Sequence, residues 1–306
     1  MLMVRDKTIA ILVPCKNEAM TIRNVVEGFR RAVPGATVYV YDNNSTDETA
    51  SAASAAGAVV GRECRPGKGN VVRRMFSEID ADIYLMVDGD NTYDAASAPL
   101  LIDKLVAEGA DMVVGARIGA HHKHQRKGHA FGNRMFNALY SRLFGQEFSD
   151  IFSGYRAFSR RFVKSFPAVS AGFEIETELS VHASQLRLPV AEIELPYGDR
   201  PEGSASKLST FRDGARILKT IIVLLKEHKP LYFFGAIALA GALLSIGMAV
   251  PLAIEYAETG LVSRIPTAIL STGIMIVSML SMTAAVILDS IRRMRAEIKR
   301  MFYNLT

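Results

Sequence analysis

The sequence predicts an α/β domain followed by a pair of membrane-spanning helices. Short apolar runs alternate with helical patterns through the first 120 residues, and two uncharged runs of 24 residues occupy 231–254 and 265–288. Alternation of this kind favours a mostly parallel sheet with helices on both faces. An apolar run of about 20 residues crosses the bilayer core as a helix, whereas helices in soluble proteins average about 11–12 residues. A buried helical hairpin in a soluble protein is the alternative.

The predicted elements follow one another in order along the α/β domain. Strands are predicted at 8–13, 37–41, 58–60, 83–87 and 111–115, and helices at 19–33, 46–56, 68–79 and 95–107. A second block has helical patterns at 130–143, 174–186 and 207–226 and a strand at 190–195. Ligands of parallel sheets bind outside the carboxyl ends of the strands, so the residues after each strand are the candidates for a site.

Charge is distributed unevenly along the chain. The net charge is +5, yet residues 1–204 carry 24 Lys and Arg against 25 Asp and Glu, so the excess flanks the apolar runs. There it would meet anionic headgroups and, by the positive-inside rule, place both termini in the cytoplasm. We therefore predict a multi-pass protein of the cell (inner) membrane, with the α/β domain cytoplasmic and no nucleic-acid partner.

Four segments are predicted along the chain. The α/β domain occupies 1–204, an amphipathic juxtamembrane helix 205–229, the two membrane helices 230–290 and a basic cytoplasmic tail 291–306. Apolar side chains at helical spacing, with basic residues elsewhere, are typical of a helix lying in the membrane interface. A helix packed on the α/β domain is the alternative for 205–229.

Acidic residues follow the apolar strand at 83–87. Asp88 and Asp90 are two residues apart, so their side chains point the same way if the strand pattern continues. Two hard carboxylates suit Mg²⁺ or Mn²⁺ bridging a diphosphate. The cation would neutralise a departing nucleoside diphosphate. An acidic surface loop is the alternative.

Polar side chains also follow the second predicted strand and precede the third predicted helix. Asp42 is able to accept hydrogen bonds from a nucleobase or ribose, while Ser45 or Thr46 is expected to cap the next helix. Lys68, between two glycines, lies in a short cationic turn before a helix, which suits close approach to a phosphate. In GFEIETEL, the helix dipole explains the acidic residues, and sugar contact by Glu174 or Glu176 is the alternative.

Together these motifs resemble glycosyltransferase family 2. The matching stretches are VPCKNE at 13–18, DNNSTD at 42–47, GKG at 67–69, DGD at 88–90 and DIFSGYRAF at 150–158. Within that family, SASKL at 204–208 and the paired terminal spans resemble polyprenyl-phosphate glycosyltransferases, the group that includes dolichyl-phosphate mannose synthase. The family often has Gln two residues after the second Asp, where this chain has Thr92.

The resemblance implies a GT-A domain that transfers one sugar, with inversion, from a UDP- or GDP-linked donor to a polyprenyl phosphate. The lipid-linked sugar would then serve cell-envelope glycan or glycoconjugate modification. Implied donor-binding residues are Pro14, Asn17, Glu18, Asp42, Lys68 and Asp88. Implied catalytic residues are Asp90 and Asp150, and the implied phosphate-binding residues are Arg117, Arg134, Arg200 and Lys207. Mg²⁺ or Mn²⁺ would be held by Asp88 and Asp90, and a homo-oligomer is suggested by the resemblance alone.

Alternatives remain for the function and for single residues. A membrane-tethered nucleotide-sugar-binding protein would keep the acidic cluster without machinery for an acceptor. A processive polysaccharide synthase shares the early motifs, but its family carries a Q-x-x-R-W signature and this chain has no Trp. Structural explanations also exist for Pro14 as a strand terminator, Glu18 as a helix acid and Asp150 as a turn cap. Because a phosphate monoester is mostly dianionic near pH 7, Asp150 would orient the acceptor as readily as deprotonate it.

Overall fold

The computed structural model describes residues 7–118, 148–167, 175–198 and 222–305, apart from 224 and 228. The chain divides into two compact units. One comprises Met1–Leu208 with Lys299–Thr306, and the other comprises Ser209–Ile298. The helix predicted at 130–143 and most of the amphipathic helix predicted at 205–229 lie outside the described residues.

The first unit is built on one seven-stranded sheet with helices between the strands. Its strands are β1 Ile9–Cys15, β2 Thr37–Asp42, β3 Val59–Arg62, β4 Ile83–Met86, β5 Met112–Ile118, β6 Arg156–Ser159 and β7 Val190–Pro196. Its helices are α1 Ile22–Ala32, α2 Thr49–Ala55, α3 Lys68–Glu78, α4 Ala98–Ala107, α5 Arg160–Ser165 and α6 Ile175–Leu186, with a 3₁₀ turn at Ala95–Ser97.

The order of the strands places a crevice beside β1. The order is β3-β2-β1-β4-β6-β5-β7, and β6 runs antiparallel to both β4 and β5 while the other described pairs are parallel. From β1 the chain moves outward through β2 and β3, and it then returns to β4 on the other side of β1. Ligands of open α/β sheets bind at such a reversal, so the segments after β1, β2 and β4 form the expected site.

The burial of the strands in this unit explains why their sequences are continuous apolar runs. All four residues of β4 are buried, as are the residues of β1 after Ile9. Helix α1 buries Ile22, Val25, Val26 and Phe29, which share one face at helical spacing. Strands that are covered on both faces lose the alternating pattern of a half-exposed sheet.

Two features differ from the sequence-based expectations. Strand β6 and helix α5 were not predicted, because β6 is only four residues long and begins with a buried arginine, Arg156. The expectation that Ser45 or Thr46 caps the next helix was wrong. Helix α2 begins at Thr49 with Glu48 in the N-cap position, and the Glu48 side chain makes no capping hydrogen bond. Instead, Oδ1 of Asp47 accepts from the Thr49 amide at 3.1 Å.

The second unit contains the two apolar helices expected from the sequence. Helix α7 spans Pro230–Thr259 and helix α8 begins at Ile265 and ends at Leu305, so the last turns of α8 fall in the first unit. Both helices are long and apolar enough to cross a membrane, and 17% of the most apolar stretch of each is buried. Large apolar side chains such as Leu243 and Ile276 are exposed.

Mostly small residues line the contact between α7 and α8. Six of the buried positions described on these helices are spaced seven residues apart: Ala238, Ser245 and Leu252 on α7, and Ser271, Ser278 and Ala285 on α8. The hydroxyl of Ser245 donates to the carbonyl oxygen of Ser271 at 2.7 Å. A seven-residue repeat is typical of helices that coil around each other, and small side chains permit close approach in an apolar environment.

Replacing Gly241 by Val should open this contact, because a Cβ at Gly241 would overlap Oγ of Ser278 and would also contact Ile274. We expect a loss of about 1–3 kcal/mol in unfolding free energy from overpacking. Gly247→Val is the matched control on the same helix, since a Cβ there meets no atom within 4 Å. Thermal unfolding in detergent micelles measures both variants, and equal losses would contradict the packing described.

Candidate functional site

Hydrogen bonds link the segment that follows β1 to the segment that follows β2. Asn17 adopts a left-handed backbone conformation with φ of 53°, and its Oδ1 accepts from the Thr46 amide at 2.8 Å. In return, the Asn17 amide donates to Oγ of Ser45 at 2.8 Å. The Glu18 amide donates to Oγ1 of Thr49 at the same distance. Asn17 therefore holds the loop after β2 in place, and Glu18 lies beside that loop.

Asp42 lies at the end of β2, next to the end of β1. In the parallel register Pro14 pairs with Tyr41 and Cys15 with Asp42, so Pro14 is a buried residue within β1. Both carboxylate oxygens of Asp42 accept from the Ser45 amide, at 3.3 and 3.2 Å. The structure thus brings Pro14, Asn17, Glu18 and Asp42 to one edge of the sheet.

Asn43 joins this edge to the loop that precedes α3. Its Nδ2 donates to the carbonyl oxygens of Glu63 and Arg65, both at 2.8 Å, and its Oδ1 accepts from the Gly67 amide at 2.7 Å. Sequence reasoning missed this residue. The signal available was an amide side chain directly after a strand, within the DNNSTD motif that was interpreted through Asp42.

Lys68 is the first residue of α3, and its ammonium lies between two carboxylates. The Nζ atom is 2.5 Å from Oδ1 of Asp88 and 2.5 Å from Oε1 of Glu176. The side chains of Lys68 and Glu176 are 9% and 7% exposed, whereas that of Asp88 is 31% exposed. Burial alone would lower the pKa of Lys68, but the two carboxylates outweigh burial and raise it above its ordinary value. Lys68 therefore carries a fixed positive charge.

The loop after β4 is packed tightly against β1. A Cβ at Gly89 would lie 2.5 Å from Sγ of Cys15, so glycine permits this approach. The next residue, Asp90, is buried, and its Oδ1 accepts from the Thr92 hydroxyl at 2.6 Å and from the Thr92 amide at 3.2 Å. Thr92, where the family often has Gln, thus fixes the orientation of Asp90.

Asp150 and Arg117 form a bidentate ion pair beside this loop. Nε of Arg117 donates to Oδ2 of Asp150 at 2.6 Å, and an η nitrogen donates to Oδ1 at 2.8 Å. Burial would raise the pKa of Asp150, but Arg117 outweighs burial and holds the pKa below its ordinary value. The guanidinium also lies 5.4 Å from the ring centroid of Tyr197. At neutral pH Asp150 is therefore an anion that accepts protons poorly.

Gly154 brings the loop that carries Asp150 to the Asp88 carboxylate. A Cβ at Gly154 would lie 2.5 Å from Oδ2 of Asp88, and the Gly154 amide donates to the Tyr93 hydroxyl at 3.0 Å. The two acidic motifs, which are 60 residues apart in sequence, therefore lie in one site. Three of the predicted phosphate-binding residues, Arg134, Arg200 and Lys207, lie outside the described residues.

A divalent cation fits the chemistry of this site. In the part of the chain that the structure describes, no cluster of three His, Cys, Asp or Glu side chains suits a metal ion. Magnesium commonly binds through one or two carboxylates, with substrate phosphates and water completing its shell. Asp88 and Asp90 are such a pair, and the Asp88 side chain is partly exposed. The donor set thus matches a cation that arrives with a diphosphate.

Buried Arg156 supports the loop that carries Asp150. Its side chain is inaccessible to solvent and donates to the carbonyl oxygens of Ser153 and Ile151, at 2.9 and 2.6 Å, and to Oγ of Ser180 at 2.9 Å. These bonds hold the turn after Asp150 against helix α6. Sequence reasoning treated Arg156 only as part of a motif, because hydropathy gives no sign of a buried guanidinium.

Arg156→Met should destabilise the first unit by about 2–4 kcal/mol, because buried acceptors would lose their donors. The matched control is Arg160→Met. Arg160 pairs with Asp80 at 2.8 Å on the surface, where both side chains are largely exposed. Such a pair contributes about 0–1 kcal/mol. Thermal unfolding of the full chain measures both changes. Similar losses of stability in the two variants would show that the buried hydrogen bonds of Arg156 contribute no more than a surface ion pair.

Similarity to known proteins agrees with this geometry. Residues 10–166 match the family model for glycosyl transferase family 2. The glycosyltransferase AglJ of Haloferax volcanii is 35% identical over 273 residues, which cover 87% of this chain and 88% of AglJ. An uncharacterized protein of Shigella flexneri is 52% identical over 151 residues, which cover 49% of this chain and 93% of that protein.

A solved structure extends the similarity to the fold. Glucosyl-3-phosphoglycerate synthase from Mycobacterium tuberculosis, crystallised with Mn²⁺, UDP and phosphoglyceric acid, superposes with a TM-score of 0.61 and 25% identity. The superposition covers 73% of this chain and 79% of the synthase. The mixed sheet with its reversal at β1 is accordingly a GT-A-like α/β fold. With the family model matching from β1 through α5 and AglJ matching across most of the chain, the protein belongs to glycosyl transferase family 2.

Proposed function

We propose that this glycosyltransferase moves one sugar, with inversion, from a UDP- or GDP-linked donor to a polyprenyl phosphate. The lipid-linked sugar would then serve as a donor for cell-envelope glycan or glycoconjugate modification. One observation carries the donor half of the proposal: the exits of β1, β2 and β4 lie side by side at one end of the sheet, where Lys68 pairs with Asp88. Two long apolar helices in the same chain support an acceptor that resides in a membrane.

The donor would lie across the edge formed by β1, β2 and β4. Asp42 would contact the nucleobase or ribose, with Pro14, Asn17 and Glu18 shaping the walls around it. Lys68 would face the diphosphate from the start of α3, where backbone amides of the helix also favour an anion. Asp88 and Asp90 would hold Mg²⁺ or Mn²⁺, which when bound would neutralise charge on the departing nucleoside diphosphate.

The acceptor phosphate would approach Asp150 and Arg117. Because its pKa is lowered, Asp150 is better suited to hold Arg117 in place than to take up a proton. A phosphate monoester needs little deprotonation, since its second pKa is about 6. Positioning and charge stabilisation would therefore supply most of the rate acceleration. Arg134, Arg200 and Lys207 remain proposed phosphate contacts of the same kind.

We place the protein in the cell (inner) membrane as a multi-pass protein, with its catalytic domain and both termini cytoplasmic. Basic residues flank α7 and α8, whereas the connection between them holds Glu255, Glu258 and Arg264. The positive-inside rule orients such a hairpin with both ends inside. The match to AglJ covers 87% of this chain and so extends well beyond the 10–166 domain.

A small soluble phosphate is the second candidate acceptor. The synthase described above was crystallised with phosphoglyceric acid, a phosphate monoester that is not a lipid. The Asp150 and Arg117 pair would suit either phosphate. The two candidates differ in whether transfer needs a bilayer, because a lipid acceptor reaches the site only from a membrane.

Purified full-length protein should transfer sugar to polyprenyl phosphate in vesicles, when supplied with Mn²⁺ or Mg²⁺ and a panel of UDP- and GDP-sugars. The product is an extractable lipid that carries radiolabelled sugar. Transfer to phosphoglyceric acid instead would establish the soluble acceptor. Donor binding without transfer to either acceptor would support a membrane-tethered binding protein and contradict our proposal.

Asp90→Asn should abolish metal-dependent turnover, because the amide keeps the size of the side chain but removes the charge that binds the cation. We expect a loss of at least about 100-fold in kcat/KM, in line with typical effects of removing a transition-state charge partner. Asp103→Asn is the control, since Asp103 is an exposed residue of α4. Near-normal turnover of Asp90→Asn would remove that residue from the site.

A further inference from the structure

Glu176 stands out because its carboxylate is buried and points into the proposed donor site. It lies in the first turn of α6 and contacts Lys68, which is 108 residues earlier in the chain. A surface acid that favours a helix dipole would be solvated, whereas this side chain is 7% exposed. Burying a charge is costly unless it is paired, so the ion pair with Lys68 explains why the carboxylate is tolerated there.

The ammonium of Lys68 has two partners, which differ in exposure and in proposed role. Asp88 is 31% exposed and is also a proposed ligand of the divalent cation, whereas Glu176 is buried and is not. A cation bound at Asp88 repels the ammonium and competes with it for the same carboxylate. If Asp88 were the only partner, metal binding would leave a buried ammonium without a counter-charge, which is strongly unfavourable.

We propose that Glu176 is a positioning residue that keeps the Lys68 ammonium in the donor site when a divalent cation takes the Asp88 carboxylate. The inference rests on the proposed function and adds a role for a residue outside its donor-binding motifs. Glu176 retains the lysine, Asp88 exchanges the lysine for the cation, and both positive charges then face the diphosphate. Glu176 acts through Lys68 and touches neither the nucleotide nor the cation.

A double-mutant cycle on nucleotide binding tests this indirect action. Full-length wild type, Lys68→Met, Glu176→Gln and the double variant are titrated with UDP and with GDP, each in the presence of Mn²⁺, by isothermal calorimetry. We expect Glu176→Gln to weaken binding about tenfold, as for loss of one charge-assisted hydrogen bond. In the Lys68→Met background the same change should not weaken binding further. The probes carry no transferable sugar, so direct contact of Glu176 with that sugar would leave their affinity unchanged.

Binding of Mn²⁺ alone supplies a second readout, measured from the electron paramagnetic resonance signal of the free ion. Glu176→Gln leaves Lys68 with Asp88 as its carboxylate partner, so the lysine should compete more strongly and Mn²⁺ affinity should fall. Lys68→Met removes the competitor, so Mn²⁺ affinity should be equal to or higher than that of the wild type. A general loosening of the fold would lower the affinity in both variants.

Matched variants separate charge from position. Glu178→Gln makes the same chemical change two residues along α6 at a partly exposed side chain, and it should bind nucleotide as the wild type does. Glu176→Asp keeps the charge but shortens the reach, and it should weaken binding by less than Glu176→Gln. Because Lys68 keeps Asp88 in the Glu176→Gln variant, that variant should fold, which thermal unfolding checks.

Two results would overturn the inference alone. One is wild-type nucleotide affinity in Glu176→Gln, and the other is a loss that persists undiminished in the Lys68→Met background. Failure of the wild-type chain to bind either UDP or GDP with Mn²⁺ would instead overturn the proposed function, and the inference with it.

Discussion

The site depends on the buried ammonium of Lys68, which lies between the carboxylates of Asp88 and Glu176. The crevice beside β1 gathers acidic side chains from several strand exits, and an anionic donor would be repelled by them. A lysine with a raised pKa stays charged throughout the physiological range, so it offsets part of that negative potential before any ligand arrives. The two carboxylates in turn make the burial of an ammonium tolerable.

The surrounding loops fix the positions of that lysine and its partners. Asn43 fixes the loop that leads into α3, and Gly89 lets the loop after β4 sit on Cys15. Gly154 and Arg156 bring the turn after Asp150 against the Asp88 carboxylate. The hydrogen bonds of Asn43 and Arg156 make this geometry rigid, because each buried donor or acceptor is costly to leave unpaired. A preorganised site loses less free energy when charge develops during transfer.

Hydropathy and strand-exit reasoning could predict the alternation of strands and helices, the two long apolar helices and the grouping of Asp42 and Asp88 at one edge. These features depend on local periodicity and on the rule that parallel strands end at a common edge. The antiparallel strand β6 was missed, since its buried arginine breaks the apolar pattern. The pairing of Lys68 with Glu176 was also missed, because 108 residues separate them and the helix dipole already explained an acid at that place.

The central claim is that Lys68 stays in the site, held by Glu176, while Asp88 turns to the cation. An experimental structure of the full chain with Mn²⁺ and the bound nucleoside diphosphate tests this most directly. We expect Nζ of Lys68 within hydrogen-bond distance of Glu176 and of the diphosphate, and Asp88 on the Mn²⁺ ion. Lys68 turned away from Glu176, or still paired with Asp88 while Mn²⁺ binds elsewhere, would contradict the account.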